Sequence, residues 1–206
     1  MKREVTLLKF GMAVPLIYFG TLLILPLLLY PGYDHRTQYV SELGAPTAPH
    51  PLPFNLLVIA CGVSAMLGAV GIAQTLRRLY ARRVASTLTG VTLFLWGAAI
   101  VMAGIFPMPN ELHGAFGLAI VLHLAPLLAL VAVWRAEGLA WLKWLLVAVF
   151  LVSGVLFAIM MGIGSMVRVA DVGYWQRTYA LSSFPWIGVL AWALHSRLRA
   201  DLPVSA

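Results

Sequence analysis

FNLLVIACGVSAMLGAVGIAQTL (residues 54–76) is followed by RRLYARR (77–83) and then by VASTLTGVTLFLWGAAIVMAGIF (84–106). Each apolar run exceeds the ~20 residues a helix needs to cross a hydrocarbon layer. The runs do not alternate, so helices are favoured over barrel strands. Arg77, Arg78, Arg82 and Arg83 fill the turn between them. Two apolar helices joined by a basic turn read as a membrane hairpin with its turn on the cytoplasmic side.

Working outward, four more segments have the same character, at 10–30, 114–134, 144–166 and 179–196. None of the six has an Asp, Glu, Lys or Arg in its interior. The expected fold is all-α: a six-transmembrane helix bundle, one integral membrane domain over residues 1–206. The first segment follows Lys2, Arg3 and Lys9 but exceeds a signal-peptide core and lacks an A-x-A-like site, so it reads as an uncleaved span. Pro15, Pro26, Pro126 and Pro185 are expected to kink or open their helices.

The composition agrees. Of 206 residues, 62% are apolar and only 10% charged, with a mean hydropathy of +0.93. So little charge cannot cover a soluble domain with this much apolar content, and disorder is excluded on the same ground. One cysteine, Cys61, excludes a disulfide scaffold. The net charge of +7 suggests nucleic acid at first sight, but its distribution argues for topology instead. With the N-terminus inside, 11 of the 14 basic residues fall in cytoplasmic segments, leaving Arg36, Arg168 and Arg177 outside. Acids lean outward: Asp34, Glu42, Glu111 and Asp171 against Glu4, Glu137 and Asp201. Both termini are therefore expected in the cytoplasm of a cell (inner or plasma) membrane. No nucleic-acid partner is expected; membrane lipids are. Tyr30, Tyr33, Tyr174, Trp175 and Tyr179 read as aromatic anchors at the outer boundary.

Small residues at spacing four mark close helix contacts, either within the bundle or in a homo-oligomer or larger membrane complex. They are Ala60, Ser64 and Gly68 on the second segment, and Gly154, Ala158 and Gly162 on the fifth.

Polar residues that topology does not explain gather outside. In the first outer loop (31–53), a short amphipathic helix is expected from about His35 to Leu43, with Asp34 as N-cap and Gly44 just past its end. His35, Gln38, Ser41 and Glu42 would share one face. In the second loop, Asn110 is an expected N-cap, and His113 stands at the bundle mouth. His123 lies about 15 Å deeper along a helix, where an ionisable group is a functional candidate by default. Arg177 beside Glu42 would suit an anion or headgroup clamp. GYDHRT (32–37) is echoed by GYWQRT (173–178), without support from flanking sequence. No HExxH, P-loop, GxSxG or GxGxxG is present, so no metal or cofactor is expected.

The stretch YPGYDHRTQYVSELGA (30–45) resembles the hallmark first outer loop of a prokaryotic multi-pass family, domain of unknown function nine-nine-eight. Asn55 with Gly62, the segment from Gly104 through His113 to Gly114, and Gly173 with Arg177 extend the resemblance. It implies six spans and an outward polar cluster of Gln38, Ser41, Glu42, Asn55, His113 and Arg177. It implies no reaction. A more distant likeness in layout, to Frag1/DRAM/Sfk1-type proteins, implies lipid handling. Three functions follow as expectations: an outward polar cavity for a lipid or small amphiphile, an intramembrane lipid hydrolase or transferase with Glu42 or His113 as base, with or without a metal, or a structural subunit of a membrane complex. A non-enzymatic role is the leading expectation.

Overall fold

The computed structural model describes residues 2–200. Asp201, counted above among the inner acids, lies outside them. Among the described residues the chain is helical, without strands. Eight α-helices follow in order: α1 Lys2–Phe19, α2 Leu25–Leu29, α3 Pro51–Tyr80, α4 Arg83–Ile105, α5 Ala125–Val133, α6 Ala140–Met160, α7 Val172–Ser183 and α8 Pro185–Ala200. Five helical segments are long and apolar enough to cross a membrane: 2–29, 51–80, 83–105, 111–133 and 140–160.

Prolines punctuate these segments. Pro26, Pro126 and Pro185 stand in the first turn of α2, α5 and α8. Only Pro15 is enclosed by its helix. Between α1 and α2 a π-helical turn, Gly20–Ile24, lengthens the register, and the Leu25 N–H reaches the Gly20 carbonyl. That bulge precedes Pro26, which cannot donate to the ladder.

Two segments differ from the sequence reading. The fourth is not one α-helix: Glu111–Leu124 is 3-10 helical and only Ala125–Val133 is α. Positive φ at Ala115 and Gly117 breaks the α register ahead of Pro126. The sixth, expected over 179–196, is split between α7 and α8 at Phe184, just before Pro185.

Backbone proximity sets the packing. α3 lies between α1 and α4, and α8 closes against α1. A Cβ on Gly68 would come 2.5 Å from Gly11 Cα, so α1 and α3 meet backbone to backbone. The Ser64 hydroxyl donates to the Phe10 carbonyl at 3.1 Å across the same seam. On the opposite face of α3, a Cβ on Gly62 would come 2.6 Å from the Gly97 carbonyl of α4. Glycine thus lets α3 approach both neighbours, the packing available where lipid removes the hydrophobic drive. Of the two small-residue stripes, Ser64 and Gly68 are consumed inside the bundle while Ala60 is exposed. On α6, Gly154 has open space around it, and Gly162 lies past the helix end at φ +92°.

One apolar core runs through α1, α3, α4, α5, α6, α7 and α8, with Trp96 and Trp186 fully buried in it. Phe184, at the α7–α8 break, packs against Tyr18 (4.5 Å between ring centroids) and Trp96 (5.0 Å). Large apolar side chains such as Leu16, Leu27, Trp144 and Val155 point outward, as lipid-facing residues do.

Candidate functional site

The first loop begins where α2 stops at Tyr30. Tyr30 is buried, and its hydroxyl reaches the carbonyls of Leu43, at 3.1 Å, and His50. One phenol therefore pins both the middle and the end of the loop. The expected helix over His35–Leu43 is replaced by a turn and a shorter 3-10 helix, Val40–Gly44. Asp34 explains the change. Its carboxylate accepts the Arg36 N–H at 2.9 Å and the Thr37 hydroxyl at 2.8 Å, closing a local turn. The capping role passes to Glu42, whose Oε1 accepts the Tyr39 N–H at 2.9 Å.

The polar residues of this loop bind one another. Gln38 Oε1 accepts the Asp34 N–H at 2.8 Å, and its Nε2 faces Glu42 Oε2 at 3.4 Å. Around them lies a cavity of about 260 Å³, lined by Tyr30, Tyr33, Gln38, Glu42, Thr47 and Pro49 among others. Glu42 has no cationic partner among the described residues, and its two donors leave acceptor capacity unused.

α7 holds the loop in place. Arg177 is buried, and one terminal nitrogen donates to the carbonyls of His35 (2.7 Å), Gln38 (3.1 Å) and Gly173 (2.9 Å). The other donates to the Tyr33 hydroxyl, and the guanidinium sits 5.4 Å from the centre of that ring. Gln176 accepts the Val40 N–H at 2.7 Å, and the Tyr174 N–H meets the Arg36 carbonyl at 3.1 Å. A Cβ on Gly173 would collide with the carbonyls of Gln38 and His35, so only glycine admits this approach. Burial raises the Tyr33 phenol, against the pull of the Arg177 charge. Burial and then Arg177 lower the His35 imidazole. Hydrogen bonds from the Arg36 N–H and the Thr37 hydroxyl hold the Asp34 carboxyl below the usual range.

Of the six site residues named from sequence, Gln38 and Glu42 share the cavity. Arg177 stands behind it, with Tyr33 between. Asn55 donates to the Gly44 carbonyl at 3.0 Å, tying α3 to the loop. Ser41 Oγ turns away to Met108 Sδ at 2.9 Å. His113 Nδ1 lies 3.0 Å from the Phe106 carbonyl. The two candidate bases, Glu42 and His113, thus face different surroundings. Among the described residues no three His, Cys, Asp or Glu side chains gather as a metal site would require. Asn110 caps its helix as expected, accepting the Leu112 N–H at 2.9 Å. His123 hydrogen-bonds Tyr179 through Nε2 at 3.0 Å and packs on Phe157 at 4.4 Å between centroids.

Sequence reasoning read Tyr30, Tyr33 and Tyr179 as boundary anchors, met Gly173 only through the family resemblance, and assigned Gln176 no role. A signal existed. The echoed segments, 32–37 and 173–178, lie against each other, and the arginine of the second reaches the tyrosine of the first.

A family model described as "Protein of unknown function (DUF998)" matches residues 12–193. No curated protein and no solved structure matches the chain.

Proposed function

The chain belongs to the DUF998 family of proteins of unknown function, and from that premise we propose that it is a multi-pass protein of the cell membrane whose outer end binds a lipid or another small amphiphile. It crosses the membrane six times, and both termini are cytoplasmic. α7 and α8 together make the sixth crossing, since neither alone spans ~30 Å at 1.5 Å per residue. Two arginines support that assignment. Arg177 bonds the first loop, whereas Arg197 bonds the Glu137 carbonyl at 2.6 Å, in the turn between α5 and α6. Those two loops belong to opposite ends of the bundle, so the chain between the arginines runs from one end to the other. The basic bias to one side assigns that side to the cytoplasm.

The observation that carries the binding reading is the cavity at the first loop. One wall is apolar (Tyr30, Leu43, Pro49) and the other presents Gln38 and the partly used carboxylate of Glu42. A ligand with an apolar body and a donor-bearing head, an amine or hydroxyl, matches both walls. Arg177 is not the headgroup clamp here, because its terminal nitrogens serve backbone carbonyls and Tyr33. Its role is to hold the cavity's frame.

A photo-crosslinking amino acid placed at Thr47, on the exposed rim, tests this in native membranes. The expected result is an adduct with a lipid or amphiphile, detected by mass spectrometry and reduced by Glu42→Gln. Adducts unaffected by Glu42→Gln, or formed with protein alone, refute the reading.

A further inference from the structure

We infer that the basic end of the molecule carries a separate site for an anionic phospholipid, in the groove between the start of α4 and the end of α5. The groove encloses about 430 Å³ and is lined by Arg82, Arg83, Ala85, Leu88, Leu128 and Val131 among others. Its two halves differ in chemistry. At the mouth stand two guanidiniums that make no hydrogen bond or ion pair among the described residues. Arg78, in the last turn of α3, is by contrast paired with Glu4 at 3.1 Å. No carboxylate lines the groove.

Below the arginines the wall is aliphatic, and Leu88 and Val131 are partly exposed along it. A phosphate at the mouth places an acyl chain against that wall. Arginine suits the head because its planar fork matches phosphate oxygens. Arg82 also occupies the N-cap of α4, and no side chain caps that terminus. The positive end of the helix therefore adds to the same field. The turn is held tight by Ala81 in the left-handed region, at φ +53°, which keeps Arg82 and Arg83 at the groove mouth.

Charge distinguishes this site from the outer cavity. Glu42 opposes a phosphate there, whereas two unpaired cations favour one here. The groove between α3 and α4 is a weaker competitor, with Arg77 as its one charged lining residue. The inference rests on the chain being a membrane protein and is independent of what the outer cavity holds.

The test uses the purified full-length protein in neutral detergent. It is titrated with dioleoylphosphatidylglycerol or dioleoylphosphatidylcholine and read by native mass spectrometry. The glycerol lipid is expected to bind more tightly than the choline lipid. Arg82→Gln with Arg83→Gln should lower its affinity by roughly 30-fold, which is what two basic side chains near an anionic surface contribute. Arg3→Gln with Arg199→Gln removes equal charge from the same end of the bundle, at exposed positions, and should change affinity less than threefold. Val84→Trp fills the groove mouth from a position 74% exposed. It keeps both arginines and should also weaken lipid binding, so the proposal stays testable if the double variant fails to fold. Equal affinity for the two lipids overturns the site. So do equal losses in the two double variants, which would indicate diffuse attraction. Competition by glycerol phosphate at the lipid's own concentration would indicate a free-anion site and also overturns it.

Discussion

Replacing Arg177 with alanine removes every polar link that its guanidinium makes to the first loop. Those are the bonds to the His35 and Gln38 carbonyls and to the Tyr33 hydroxyl, together with the Gly173 carbonyl on its own helix. A hydrogen bond to a charged group contributes a net ~1.5–3 kcal/mol, and bonds sharing one donor group do not add fully. Losing three cross-element bonds from a buried site therefore costs about 3–5 kcal/mol if the loop stays docked. If the loop undocks, water resolvates the carbonyls and the loss is limited to the docking energy. Lysine keeps the charge but not the fork, and its single ammonium cannot reach Tyr33 and both loop carbonyls together. Arg177→Lys should thus fall between wild type and alanine. Unfolding in mixed micelles gives the global cost. Cys61, the chain's one cysteine and 1% exposed, supplies a native thiol whose modification reports opening. Proteolysis between Pro31 and His50 gives the local cost. An Arg177→Ala protein that unfolds within ~0.5 kcal/mol of wild type, with its loop still protected, would refute the clamp.

The other predictions concern glycine, histidine and acidity. Gly173→Ala should free the loop to proteolysis much as Arg177→Ala does, because its Cβ meets the Gln38 and His35 carbonyls. Gly68→Val should cost about 1–3 kcal/mol by separating α1 from α3, whereas Gly154→Ala meets open space and should be neutral or stabilising by up to ~1 kcal/mol; micellar unfolding compares the two. His123→Phe keeps the packing on Phe157 but leaves the Tyr179 hydroxyl without its imidazole, a loss of about 1 kcal/mol by the same assay. The His35 imidazole is lowered in the docked loop, so below its ordinary value of 6.5 the undocked loop takes up a proton that the docked one resists. Docking should therefore be constant above neutrality and weaken as pH falls through 6.5 towards the depressed value. Asp34, also lowered, adds a loss only in the acid range below ordinary carboxylate titration. Loop amide exchange at pH 7.5 and 5.5 should show the first effect in wild type and not in His35→Asn.

Much of the fold was legible because crossing a membrane imposes a length and a polarity that survive in any 20-residue window. Pro107 and Pro109 follow closely on the end of α4 at Ile105, as residues that cannot continue a helix do. The α7–α8 break was harder to read, since Pro185 signals either a kink inside a helix or the start of a new one. The 3-10 run from Glu111 was not legible at all, because positive φ at Ala115 is not a property of alanine. In the site, residue types were easier to read than partners. Asp34 is a sound N-cap by composition, yet it closes a turn of its own and leaves the helix to start at Val40. Arg177 looked like a ligand clamp because an outer arginine beside a glutamate suggests an anion. Only tertiary placement reveals that backbone carbonyls, separated from it by 139 and 142 residues, engage one of its terminal nitrogens. The small-residue rule found the α3 seam through Ser64 and Gly68, where glycine meets glycine. It said nothing of the choice between a neighbouring helix and lipid, which is why Gly154 carries the same pattern without a contact.

A six-crossing bundle would place the first-loop cavity outside and the end of α8 inside. Cysteine labelling in intact cells tests it most directly, on a Cys61→Ser background with a membrane-impermeant maleimide. Thr47→Cys, on the exposed cavity rim, is predicted to label in intact cells. Arg199→Cys, one residue before the end of α8, is predicted to label only after the membrane is opened. Labelling of both positions in intact cells, or of Arg199→Cys alone, would rule out this topology.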